Sequence, residues 1–138
     1  MGLIENLIDI LDNLKSEIED ALGKTYTVEK YMRIPDVTDT YPIVMLIPKN
    51  VIPLHLSMEG DEEGTYNIEV DQVVKVPFDY DGSTLLEDLE TLMERLKTLR
   101  THSSYWEDLN YNGGVEFHYD QIDNWILQSA SVNVQIVK

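Results

Sequence analysis

Residues 66–99 read YNIEVDQVVKVPFDYDGSTLLEDLETLMERLKTL. Two periodicities meet inside this stretch. From Tyr66 to Phe78 the side chains alternate: Ile68, Val70, Gln72, Val74 and Val76 fall on one side, and Asn67, Glu69, Asp71, Val73 and Lys75 on the other. Period two over this length predicts a half-buried antiparallel strand. Further on, Leu85, Leu89, Leu92, Leu96 and Leu99, with Leu86 and Met93 beside them, recur at three- and four-residue steps. That spacing predicts a helix over about 83–100 with one apolar face. Its heptad pattern is too short for a coiled coil, so packing against a sheet is expected.

The junction, Asp79 to Glu90, has the length of an EF-hand loop and places Asp79, Asp81, Ser83 and Glu90 at oxygen-ligand positions. Its sixth residue is Thr84, where that loop needs glycine for a sharp turn, and Gly82 stands two places early. The stretch is also entered from a strand rather than a helix. Turn chemistry accounts for Asp79–Gly82. Ser83 or Thr84 serves as the helix N-cap, and Thr84 with Glu87 matches a capping box. No calcium is expected here, and no other cofactor.

Working outward, Leu3, Ile4, Leu7, Ile8, Leu11, Leu14, Ile18 and Leu22 predict an amphipathic helix capped by Gly23. Residues 25–34 read as a strand that Pro35 ends. PIVMLIP (42–48) reads as a strand buried on both faces, Lys49-Asn50 as a turn, and 51–58 as a further strand. Gly60 to Gly64 is an acidic hairpin tip. Residues 101–112 read as a loop or short helix and Gly113-Gly114 as a turn. Residues 115–120 and 125–137 read as the last two strands, with Val132, Val134 and Ile136 facing inward. The expected fold is α+β: one domain over 1–138, a mainly antiparallel sheet with two helices packed on one face.

Composition narrows the function. The chain has 138 residues, 43% of them hydrophobic, enough for a core. It has no cysteine, which removes disulfides, thiolate metal sites and a Cys nucleophile. No stretch reaches the length of a membrane span, and the acidic N-terminal helix does not read as a secretory signal. Asp and Glu number 26 against 10 Lys and Arg, a formal charge of −16. Such a chain does not hold nucleic acid by neutralising phosphates. It is suited to solubility, to repelling DNA, or to pairing with a basic partner.

Candidate chemistry is sparse. Glu116, His118 and Asp120 alternate on one strand and so share a face. Residues two apart on a strand lie about 7 Å apart, so they do not converge on a metal. Phe117 and Tyr119 between them are expected to face the core. His55 lies between two leucines and is expected to point to solvent. His102 precedes Ser103 and Ser104, but nothing around them resembles a nucleophile elbow. No phosphate-binding loop or HExxH occurs, and an enzyme is not expected. Aromatic residues gather late in the chain (Tyr105, Trp106, Tyr111, Phe117, Tyr119, Trp125). Trp106, in a polar surrounding, is the one expected at an interface.

The order of elements resembles the tail terminator proteins of long-tailed bacteriophages, also called tail completion or minor tail proteins. The resemblance rests on the leading helix LIENLIDILDNL, on YPIVMLIP, on YNIEVDQVVKVPF running into STLLEDLETLMERLKTL, and on the closing strand SASVNVQIVK. It covers nearly the whole chain as a layout rather than a signature motif. It implies a structural role: a homo-oligomer, a hexameric ring, on the completed tail tube, in contact with the tail tube protein and the head–tail connector protein. Such a ring stops tube polymerisation and presents the head-joining surface. DNA passes through it without being specifically bound. The implied location is the virion neck, after assembly in the host cytoplasm. On that basis Asp61, Glu62 and Glu63 become candidates for the lumen or a partner face. Alternatives are another head–tail joining or tail-tube component, a cellular acidic module that binds or inhibits a basic protein, and, for completeness, a metal-dependent hydrolase built on Glu116, His118 and Asp120.

Overall fold

The N-terminal apolar spacing forms helix α1 (Leu3–Leu22), which ends where Gly23 adopts φ 71° and returns its N–H to the Glu19 carbonyl. A side chain at that φ is strained, so glycine is the residue that fits. The computed structural model describes residues 2–23, 26–30, 41–55, 63–77, 83–100 and 105–138. Within them α1 is followed by β1 (Thr27–Glu29), β2 (Ile43–His55), β3 (Glu63–Pro77), α2 (Ser83–Thr98), β4 (Asp108–Ile122) and β5 (Trp125–Val137). The fold is α+β. One sheet runs in the order β1-β2-β3-β5-β4; β1 pairs with β2 in parallel and every other pair is antiparallel.

Both helices lie on one face of this sheet. Ile10, Leu11, Leu14 and Ile18 of α1 and Leu85, Leu89, Leu92 and Leu96 of α2 meet Val44 and Leu46 of β2, the alternating Tyr66, Ile68 and Val70 of β3, and Val132, Val134 and Ile136 of β5. The alternation expected of residues 66–77 is present, and Gln72 points into this core. Arg95 of α2 bridges the helices, 3.0 Å from Glu17 and 2.8 Å from Asp20 of α1. On the opposite face Ile43, Met45, Ile47, Val73 and Leu127 form a smaller buried cluster with Tyr41 against it.

Several elements differ from expectation. Ile4 and Ile8 are 64% and 44% exposed, while Asn6 and Ile10 are buried in their stead. The leucines of α1 keep to the core stripe, Leu11 and Leu14 buried and Leu3, Leu7 and Leu22 packed against it, and only Ile4 and Ile8 fall outside. Residues 43–55 form one strand, not two joined at Lys49-Asn50. Lys49 is an extra residue, a bulge between the Pro48–Ile68 and Asn50–Asn67 pairs. The prolines are tolerated for a geometric reason. Gly64 and Lys138 exchange both backbone hydrogen bonds. Strict alternation then turns the even-numbered β3 residues toward β5 and the odd-numbered ones toward β2. Pro48 and Pro53 lie opposite Ile68 and Gly64, so their nitrogens point away from β3. β1 pairs only with residues 43–45 and needs no N–H from either proline.

Residues 108–112 are strand rather than loop, and Gly113-Gly114 is no turn. β4 takes four residues from Tyr111 to Val115 while β5 takes two, from Val134 to Val132. The glycines sit in that bulge, where β4 bends without ending. Helix α2 already includes Ser83 and Thr84, so Thr84 lies in the first turn rather than at the cap. Asp79, Asp81 and Gly82 lie outside the described residues. Glu63 and Gly64, expected in a hairpin tip, open β3.

Candidate assembly surfaces

The helices stop short of one part of the sheet. α2 reaches β4 near its start, where Leu109 is buried and the Tyr111 hydroxyl donates to the Met93 carbonyl. Past the bulge Val115 still packs against the core, and residues 116–121 of β4 are exposed. Register places Phe117 opposite Ala130 and Tyr119 opposite Gln128, on the helix-bearing face. No helix covers them there, and they are 42% and 66% exposed. This corrects the expectation that they fill the core. They lie on the core side of the sheet, on an edge strand that the helices leave uncovered. Trp125, 39% exposed, begins β5 after the turn at Asp123-Asn124, where Asp123 adopts φ 53°. β5 itself stays paired with β3 as far as Trp125 and is buried at Leu127, Gln128 and Ala130, so the exposed aromatic residues of this region sit on β4 and at the start of β5.

Glu116, His118 and Asp120 occupy the other face of β4, opposite Ser131, Ser129 and Leu127. All three are exposed, and His118 Nε2 lies 3.7 Å from a Glu116 carboxylate oxygen. Among the described residues no three His, Asp or Glu side chains group closely enough to hold a metal ion.

The helix-free face carries a second feature. Register aligns Met45, Asp71, Ser131 and Glu116 in one row across four strands, with Glu69 two residues from Asp71 on the same side. Burial, reinforced by Glu69, pushes the Asp71 carboxyl up to about 6; Ser131 and Lys49 favour its charged form without offsetting this. One Asp71 carboxylate oxygen is buried without a hydrogen-bond partner. At the end of this face the Lys75 ammonium sits 4.7 Å from the Trp125 ring centroid and 5.8 Å from that of Tyr41, within cation–π range.

Trp106 is not at a surface. It is 2% exposed, and its indole N–H donates to the Leu99 carbonyl at 2.8 Å. Its described neighbours Tyr105 and Glu107 are exposed, while the ring itself closes the core past α2. Glu63 is exposed at the start of β3, in register with His55. Asp61 and Glu62 lie outside the described residues, as do His102, Ser103 and Ser104 and the side chain of His55.

Sequence reasoning passed over one buried network. Gln72 Nε2 donates to the Tyr26 hydroxyl at 2.7 Å, and that hydroxyl donates to Asp88 Oδ2 at 2.6 Å. It ties the approach to β1, the centre of β3 and the second turn of α2. Burial, and then Asp88, hold the Tyr26 proton on. The signal in the sequence was Gln72, a polar residue on the apolar side of an alternating strand.

No protein-family model and no curated protein sequence matches the chain. Among solved structures its fold is similar to that of a chain in the virion of a native gene transfer agent (GTA) particle, with a TM-score of 0.52 at 7% sequence identity. The match covers 93% of this chain and 92% of that one. At this identity the likeness is one of fold.

Proposed function

We propose that this protein is a structural component of a phage-like virion, and that it caps the tail tube as a hexameric ring, ends tube polymerisation and offers the surface to which the head connector docks. The observation that carries this proposal is the end-to-end likeness to a virion chain, with almost nothing of either chain left over. The layout that resembles the tail terminators agrees with it: leading helix, long alternating strand, second helix, closing hairpin. An uncovered edge strand with exposed aromatic side chains suits a protein whose work is contact. The role is structural rather than catalytic, with the tube protein and the connector as partners. The strong negative charge suits a channel through which DNA slides without binding.

The purified protein tests this directly. Negative-stain images are expected to show six-membered rings, and adding it to polymerising tail tubes is expected to arrest their growth. A protein that stays monomeric at every concentration and leaves tube length unchanged would remove the capping role. If that monomer bound a basic protein in a salt-sensitive manner, the cellular inhibitor reading would take its place.

A further inference from the structure

We propose that the free edge of β4 is the docking site for an extended, basic segment of a different protein, which adds to the sheet as a sixth strand. The backbone geometry comes first. The Gly64–Lys138 pair, together with unbroken β3–β5 register, turns the even-numbered residues of β5 toward β3. Leu127, Ser129 and Ser131 therefore face β4 and bond to Asp120, His118 and Glu116. The N–H and C=O groups of Val115, Phe117, Tyr119 and Gln121 are left pointing outward. At the start of β4 this edge is occupied, because the outward Leu109 N–H bonds to the Arg100 carbonyl at 2.8 Å. From Val115 to Gln121, among the described residues, it has no backbone partner.

The side chains identify the occupant. Natural edge strands are guarded against pairing by charged side chains, proline, a bulge or a cover, and the charge on β4 has one sign only. From residue 101 to residue 137 there is no Lys or Arg, while Glu107, Asp108, Glu116, Asp120 and Asp123 are acidic. A second copy of β4 laid on this edge would set carboxylate against carboxylate, and like charges placed directly across strands repel. An incoming strand with Lys or Arg on one side would meet Glu116 and Asp120. Its apolar residues on the other side would cover Phe117 and Tyr119, which the helices leave exposed. Such strand addition draws affinity from main-chain hydrogen bonds and specificity from alternate side chains.

This rests on the exposed edge of β4 being an assembly surface, and not on the tail-capping role. The test uses the full chain and an end-blocked peptide of alternating Lys and Val, with alternating Glu and Val as control. The expected result is saturable binding of the Lys-Val peptide that weakens with salt. At saturation, amide exchange at Phe117, Tyr119 and Gln121 should slow at least about tenfold. Tyr119→Pro removes one outward N–H without touching the β4–β5 ladder, and is expected to abolish both effects. Should that variant fail to fold, the double variant Glu116→Lys, Asp120→Lys carries the test. It is expected to lose the Lys-Val peptide and gain the Glu-Val one.

Absence of saturable binding, equal binding of both peptides by the native chain, or binding without amide protection at these three residues would overturn the proposal. So would a native oligomer that Tyr119→Pro dissolves without peptide, which would assign the edge to a second copy. Rings that cap tubes yet ignore the peptide would sink this inference alone. Peptide binding by a protein that never caps a tube would sink the capping role alone.

Discussion

Tyr26, Gln72 and Asp88 show how much the fold places on single side chains. Gln72 is fully buried and its amide already leaves Oε1 without a partner. Tyr26→Phe removes the hydroxyl that satisfies both Gln72 Nε2 and Asp88. The expected loss is about 1–3 kcal/mol, read as a lower denaturant midpoint at unchanged slope. An unchanged midpoint would mean that the network contributes nothing. Asp71 makes a different prediction. Its carboxyl is raised from 3.8 to about 6 in the folded protein, so the folded state binds its proton more tightly than the unfolded state does. Its contribution to stability is full below pH 4, where it is protonated in both states, and is lost as pH rises to about 6. Asp71→Asn is expected to flatten the pH dependence of the unfolding midpoint between pH 4 and 6 and to raise the midpoint at neutral pH. Parallel curves for the two proteins would contradict the assignment.

At the scale of elements, α1 separates what an apolar pattern reveals from what it hides. Leu14 is fully buried and Ile8 is 44% exposed, although both belong to the same three- and four-residue spacing. Leu14→Ala is expected to cost about 2–5 kcal/mol, and Ile8→Ala less than about 0.5 kcal/mol. Thermal melts of the two variants check this, and equal shifts would show the stripe to be placed wrongly. The long alternating strand and the leucine helix that follows were legible because their patterns are strong and unbroken. β2 was legible only as two pieces. Pro48 is a strand-ender by habit, and nothing local says that its nitrogen points to an edge that β1 leaves open. β4 was hidden for a similar reason: a glycine pair signals a turn, while the bulge it forms here depends on the neighbouring β5. Phe117 and Tyr119 were assigned to the correct face, but whether a helix covers that face is a tertiary fact. Trp106 misled in the opposite sense, since its own polar neighbours point outward while the ring does not.

At the scale of the molecule, helices cover the centre of a five-stranded sheet and leave the β4 edge strand uncovered past its bulge. Packing alone does not require this, and proteins seldom leave a strand edge and aromatic side chains exposed together without a use for them. Element order was the part legible in the sequence, because the strand and helix periodicities are local. The uncovered part of β4 was not, because it depends on where the helices stop. Whether the protein ends a tail is decided by deleting its gene from the genome that carries it and imaging the particles that genome makes. The expected result is tails of uncontrolled length that fail to join heads. Virions of normal tail length with heads attached would refute the capping role.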